Sequence, residues 1–342
     1  MSDVKPSTIG RWQISEVAYD SFKCWVDADN RLFFTPSWAW ILEGLGAEAR
    51  YLWCAEDRIG FVLCTFKRFG LRIGFLGFPV SGLLVSEHPE RLNREVIERI
   101  RAIAQVDILR VNFTQFSFSE KGRNLAVRPE VWISNLQGWL PEGSRKRRKD
   151  LSYARRCAET ISISNKSPGG AQLFKLYKET VLRQRGRMRY CQKYFARLSG
   201  FSKKSHLLQI YTARDIFGEI LGFAVVGIHE HVGFYLHAAT SYKGRSRGVA
   251  DLLLYECVAY AKRKKCEKFN LMSSPWDQPG LVRYKQKWGA TNAIAATKDY
   301  SCTRRGAALL WIYRLFGDNG GSAFEAEWLG KMNAASKNDA PL

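Results

Sequence analysis

Between His206 and Lys265 three β-forming runs follow one another, HLLQIYTARD, EILGFAVVGIHE and HVGFYLHAATS, and the third leads directly into RGVADLLLYECVAYAKRKK. Connections this short fit antiparallel hairpins, because a parallel return needs a crossover of a dozen residues or more. The fourth run puts Ala250, Leu253, Leu254, Cys257, Val258 and Ala261 on one face at helical spacing, and its last turn, Lys262 to Lys265, complements the helix dipole. EKFNLM then returns to a strand, GLVRYKQKWG to a short helix and TNAIAATKDY to a final strand. A meander followed by helix and strand calls for an α/β (α+β) fold: a mixed, mostly antiparallel sheet flanked by helices.

The first half carries a shorter version of the same order. Pro36 is placed to open a helix near Ser37. RYLWCAE, RIGFVLCTFKRFG, LRIGFLG and GLLV read as strands, Leu92, Val96, Ile100 and Ile103 as one helix face, and VDILRVNF as a returning strand. The apolar run VWISNLQGWL ends at Pro141, a candidate boundary. In the second half GSRKRRKDLSYARRCAE reads as a helix with Ser144 as N-cap, TISISN as a strand, and AQLFKLYKETVLRQRG and YCQKYFARLSGF as helices. The expected organisation is a domain over 1–140, a second over 141–303, and a C-terminal helix and tail over 304–342.

Charge separates the halves. Residues 1–140 hold 17 Lys/Arg and 16 Asp/Glu, whereas 141–342 hold 36 and 16, so nearly all of the +21 net charge lies in the second half. Residues 144–204 alone carry 18 basic and 3 acidic side chains. That asymmetry implies an anionic partner: nucleic acid, a phosphate-bearing cofactor, an anionic acceptor or a lipid surface. The longest apolar stretches, FLGFPVSGLLV and AALLWIYRLF, are about half the roughly 20 residues of a membrane span, and no signal peptide opens the chain. A cytoplasmic, basic protein is expected, with contact at the inner face of the membrane as an additional reading. Eight scattered cysteines contain no C-x-x-C pair and read as reduced thiols. His229 and His231 flank Glu230 at an expected hairpin tip and read as solvated, so no metal is expected.

The motif that carries chemistry is Arg245-Ser246-Arg247-Gly248-Val249-Ala250, which fits R/Q-x-x-G-x-G/A at the head of the late helix. A glycine there lets backbone approach a pyrophosphate, first-turn N–H groups point at it, and the dipole favours its charge. In this place the sequence resembles the GNAT acyltransferase superfamily, whose signature binds acyl-CoA. PGLVRYKQKWGA, with FFTPSW and FKLYKETVLRQRG, is similar to the FemAB-like and CelD-type proteins, which are tandem GNAT folds. The resemblance spans most of 30–300 and is strongest over 235–290. It implies two GNAT-like domains in tandem, the second holding the acyl site and the first, which has no cradle in GFPVSGLLVSEHP, helping with the acceptor.

Many GNAT enzymes place a tyrosine general acid where this chain has Lys285. FemAB-like ligases also have lysine there, which the resemblance implies stabilises the transferred carbonyl. Those ligases use aminoacyl-tRNA and generally lack the cradle that this chain keeps. The expected catalytic residues are therefore Lys285 as oxyanion donor, with His237 and Asp277 as candidate bases. Arg183, Arg187 and Tyr190 are candidates to grip an anionic acceptor, while Trp276 and Trp288 read as packing residues. The first functional reading is an acyl-CoA-dependent N- or O-acyltransferase acting on a small, lipid-linked or cell-envelope-related acceptor. A tRNA-fed transferase and a non-catalytic nucleic-acid-binding scaffold are the alternatives.

Overall fold

The computed structural model describes residues 7–9, 12–28, 30–56, 59–68, 70–76, 94–113, 125–140, 145–184, 186, 188–274, 278–288 and 291–316. In chain order these form β1 (Ser7–Ile9), β2 (Trp12–Ser15), α1 (Asp20–Ala28), α2 (Pro36–Glu43), β3 (Glu48–Cys54), β4 (Ile59–Arg68), β5 (Leu71–Leu76), α3 (Arg94–Ile103), β6 (Ile108–Phe113) and β7 (Leu125–Ile133). There follow α4 (Arg145–Cys157), β8 (Ile161–Ser164), α5 (Gly170–Arg183), α6 (Gln192–Ser202), β9 (Leu208–Asp215), β10 (Ile220–His229) and β11 (Val232–Thr240). The last are α7 (Tyr242–Ser246), α8 (Val249–Arg263), β12 (Lys268–Ser273), α9 (Pro279–Gln286), β13 (Thr291–Ser301) and α10 (Arg304–Phe316). The expected strands of the second half are all present. GLLV, Leu92 and the expected N-cap Ser144 lie outside the described residues.

Two compact units divide the described residues: those within 1–130 and 293–316, and those within 131–292. In the first, strands run in the order β1-β2-β3-β4-β5-β6-β13. β2 to β5 are successively antiparallel, and β6 is parallel to β5. Thr35 caps α2, its Oγ1 accepting from Trp38 N at 3.0 Å, with Pro36 as the first helical residue. On α3 the expected face is the buried one, with Val96, Ile100 and Ile103 all in the core. Sequence and structure differ over β13. Expected to finish the second domain, it pairs antiparallel with β6 instead, and Arg110 grips Asp299 through two bonds of 2.7 and 2.6 Å.

The second unit repeats the plan. β8, β9, β10 and β11 are successively antiparallel, α8 follows, and β12 lies parallel to β11. One side of this sheet carries α4 and α8, whose Leu151, Leu253, Leu254, Cys257 and Val258 share a core with Trp288 and the β7 residues Val131 and Ile133. Against β11 and β9 lie α5 and α6. The two units thus match the expected class, mixed α/β with mostly antiparallel sheets flanked by helices. All eight cysteines are free. His229, expected to be solvated, is buried at the end of β10 with its ring against Phe234, because the tip is Glu230 and His231 alone.

Candidate active site

In the second unit, β11 and β12 run side by side only from Val232–Lys268 to Phe234–Asn270. Immediately beyond, β11 slips against its other neighbour: Val225 faces His237 but Val226 faces Tyr235, so Leu236 is an extra residue. A bulge bends its strand, and this one bends β11 where its pairing with β12 ends. The pairing of the two parallel strands thus ends before either strand does, at their C-terminal ends; a cleft opening between them there would lie at the edge where α/β sheets take their ligands. Among the described residues, no β12 residue pairs with that side of β11 past Phe234. The first unit differs, since β5 keeps its pairing with β6 to Leu76–Val111, the last residue of β5.

Lys285 lies at this end of β12. It stands on α9, 7% exposed, and its Nζ donates to the carbonyls of Met272 at 2.8 Å and Ser273 at 3.0 Å, both past the point where the strands part. Met272 sits at φ +66°, and its N–H donates to Asn270 Oδ1 at 2.6 Å. This left-handed kink ends β12. The adjacent Ser274 Oγ is buried without a hydrogen-bond partner. Lys285 is thus a buried lysine whose Nζ is held on two main-chain carbonyls at the end of β12.

His237 stands on β11 just beyond the bulge. Its Nε2 meets Tyr194 Oη at 2.8 Å, and the rings of Tyr190, Tyr194 and Phe195 surround it at centroid distances of 4.7, 5.5 and 5.7 Å. Burial holds its pKa down to about 3 and pushes that of Tyr194 well up, so the pair is neutral at physiological pH. Two expected acceptor contacts are spent inside the unit. Tyr190 is 5% exposed and stacked on Tyr194, and Arg183 Nη2 donates to Thr240 O at 2.8 Å, fixing the end of β11. Arg187, Asp277 and Trp276 lie outside the described residues. Trp288 is fully buried and stacks on Trp139, as a packing residue should.

The cradle motif begins on α7. Ser241 caps that helix, its side chain accepting from Gly244 N at 3.0 Å; Arg245 and Ser246 are exposed, and Gly248 is the N-cap of α8 at φ +68°. Val249 is buried and Ala250 half-buried. Helix α4 packs on this turn. A Cβ at Gly248 would stand 2.9 Å from Ala154 Cβ, Tyr153 Oη donates to Ser246 O at 2.7 Å, and Arg247 Nη2 donates to Thr160 Oγ1. The N–H groups of Arg247 and Gly248 close turns onto Gly244 O and Arg245 O, leaving Val249 and Ala250 as the first-turn donors. Glycine at 248 therefore serves the left-handed turn and the fit of α4.

Sequence reasoning missed three features here: the bulge at Leu236, the Tyr194 partner of His237, and the contact of α4 with Gly248. It also missed a buried ion cluster, in which Lys287 Nζ lies 2.9 Å from Asp150 Oδ2 and 2.7 Å from Asp251 Oδ1 and joins α4, α8 and the end of α9. Burial raises the Asp251 pKa against the pull of Lys287. The readable signal for α4 was the spacing Arg147, Leu151, Ala154, all buried on one face inside a run that looks wholly solvent-facing. Among the described residues no group of three or more His, Cys, Asp or Glu can hold a metal ion, and no helix is long and apolar enough to cross a membrane.

Comparison with known proteins gives a family for part of the chain. Residues 145–286 match the family described as an acetyltransferase (GNAT) domain. No curated protein matches the sequence. Among solved structures, FemX superposes with a TM-score of 0.61 at 12% identity, covering 89% of this chain and 100% of FemX. L-PGS from Bacillus licheniformis superposes with a TM-score of 0.52 at 14% identity, covering 88% of this chain and 97% of that one. At such identities the likeness is one of fold.

Proposed function

We propose that this chain, which carries a GNAT acetyltransferase domain over residues 145–286 in a fold shared with FemX, transfers an acyl group from acyl-CoA to an amine or hydroxyl of a small or cell-envelope-related acceptor. The observation that carries the reading is the parting of β11 and β12 at the Leu236 bulge, with Lys285 beside the opening. An extended donor arm entering the cleft would find strand-edge amides on β11, and the thioester carbonyl would lie near the Lys285 ammonium. CoA would supply the activated thioester. The residues that fit its phosphates are the Val249 and Ala250 amides, with Arg245 and Ser246 on the exposed side of the turn. Arg247 is drawn away toward Thr160. Of the two candidate bases, His237 is the weaker, because burial removes its basicity, and the proposal therefore gives that role to Asp277. Arg183 and Tyr190 hold the strand end and the aromatic wall behind it, and Arg187 remains a candidate for the acceptor.

A second reading rests on one specific observation. With α4 packed on Gly248 and six of its cations exposed along the helix, an aminoacyl-tRNA donor gripped by its backbone suits the same cleft. Isothermal titration with CoA and with tRNA separates the two. The acyl-CoA reading expects CoA binding with weak, salt-screened tRNA binding; tight, salt-steep tRNA binding without CoA affinity replaces it with the second. Chemistry is tested at Lys285. Lys285→Ala should lower turnover by about 10²–10³-fold with donor affinity nearly unchanged. A loss confined to donor affinity would make Lys285 a binding residue, and a thermal unfolding scan of the variant checks that its core survives.

A further inference from the structure

The β9–β10 hairpin tip is built as a closed turn that thrusts two large apolar side chains outward. Asp215 Oδ1 accepts from Phe217 N at 3.0 Å and Glu219 N at 2.9 Å, and Gly218 takes φ +80°. Turn positions favour Gly, Asn and Asp, yet this one presents Ile216 at 70% and Phe217 at 84% exposure. The tip is anchored on α7, where Lys243 Nζ reaches Asp215 Oδ2 at 2.6 Å and Glu219 Oε2 at 3.0 Å. Lys243 follows Tyr242, which is 81% exposed. The C-terminal end of α7 meets the end of α4, where Tyr153 Oη donates to Ser246 O and Arg247, just past α7, donates to Cys157 O and to Thr160 just beyond α4. Along α4, Lys146, Lys149, Tyr153 and Arg156 are exposed at spacings of three and four, hence on one face. One end of the second unit thus joins a rigid apolar tip and two exposed tyrosines to a basic stripe. The acidic groups beside it are Asp215 and Glu219, which share Lys243 and so leave one negative charge between them, Asp150, which pairs with Lys287, and the exposed Glu159.

We infer that this end docks on an anionic lipid surface: Ile216 and Phe217 enter the headgroup–acyl boundary, Tyr242 and Tyr153 lie at headgroup level, and the α4 stripe meets the negative headgroups. Apolar tip, interfacial tyrosines and flanking cations are what an interfacial anchor requires. A nucleic-acid face would use the cations and the aromatic rings but has no use for an aliphatic Ile216. The inference goes with the acyl-CoA reading, because the tRNA reading claims the same α4 cations for the RNA backbone.

Co-sedimentation of the full chain with vesicles tests it, using phosphatidylcholine alone against three parts phosphatidylcholine to one part phosphatidylglycerol. The chain should bind the mixed vesicles and leave the neutral ones. The double variant Ile216→Ser with Phe217→Ser should lose at least about tenfold in affinity. Lys146→Gln, Lys149→Gln and Arg156→Gln together should lose roughly a hundredfold and flatten the salt dependence. Thermal unfolding of both variants should match the parent, since every substituted side chain is exposed. Failure of the parent to sediment, equal binding to neutral vesicles, or parental affinity in the tip variant would each overturn the inference. So would a charge variant that loses tRNA binding while keeping its hold on vesicles.

Discussion

Replacing Gly248 with alanine obliges α4 to give way, and the geometry sets the cost. At φ +68° and ψ 19° an L-residue bears roughly 1–2 kcal/mol relative to glycine. The new methyl would also stand 2.9 Å from Ala154 Cβ and 3.2 Å from its Cα. Overpacking of this kind costs roughly 1–3 kcal/mol, so the substitution should destabilise by roughly 2–5 kcal/mol in all. Ala154→Gly by itself should cost about 1 kcal/mol through helix propensity. In the double variant the methyl–methyl clash disappears, and only the backbone penalty and the softer approach to Cα remain. Urea unfolding of the four proteins, followed by far-UV circular dichroism, measures the cycle. A favourable coupling of about 1–2 kcal/mol is expected for residues in such contact. Costs that add to within about 0.5 kcal/mol would refute the packing of α4 on this glycine. The same reasoning makes Gly248→Glu a poor probe of phosphate binding, because it would displace α4 before any ligand was tested.

Two further outcomes follow from buried ionisable groups. Burial holds His237 near a pKa of about 3, below the usual 6.5, so the unfolded chain takes up a proton that the folded chain refuses between those values. Stability should fall on acidification by up to roughly 1.4 kcal/mol per pH unit from this group, and His237→Gln should remove that slope while still accepting from Tyr194. Urea midpoints of the two proteins from about pH 7 to about pH 4 check it, and parallel slopes would contradict the burial of His237. In the first unit, Asp299→Ala leaves the buried Arg110 without its bidentate partner and should destabilise by about 3–5 kcal/mol. A cost under about 1 kcal/mol in the same assay would show that β13 does not rely on that pair.

What the sequence discloses and what it conceals divide along a physical line. The meander, α8 and the buried face of α3 were readable because short connections and helical spacing are local properties of the chain. The Thr35–Pro36 start of α2 was half-readable: proline announced the first turn, and the threonine cap needed only the residue before it. The partner of β13 was hidden, since an alternating strand specifies a buried face and not which neighbour supplies it. Arg110 and Asp299, 189 positions apart, make that choice in the folded chain. RKRRK misled in a different way. Five cations in a row suggest a solvated turn, yet Arg147 is buried, with its guanidinium 5.0 Å from the Trp139 ring and Nη2 donating to Leu140 O. An arginine can lay its stem along apolar surface and satisfy its head on carbonyls, so charge alone does not assign a helix face. His237 lies on a strand, as its alternation implied, but its basicity depends on three rings from α6 and its approach, which no local pattern records.

The motif at 245–250 shows why a signature and its ligand are separable claims. A glycine in that pattern satisfies three requirements equally well: a left-handed turn, a close approach by phosphate, or a close approach by another helix. Here φ +68° meets the first and Ala154 the third. Closure of the turn onto Gly244 and Arg245 also withdraws two amides from any incoming anion, so the cradle offers the Val249 and Ala250 donors and the helix dipole. A donor carrier held by so few backbone groups must take more of its binding from side-chain charge. Exposed cations adjoin the turn in the chain, Arg245 on α7 and Arg155 and Arg156 on α4, each within three residues of the Tyr153–Ser246 bond. Recognition weighted toward charge rather than backbone fit predicts a salt-sensitive donor. It therefore gives the comparison of CoA with tRNA its force, since the two proposed carriers differ far more in number of phosphates than in the acyl end that each would deliver.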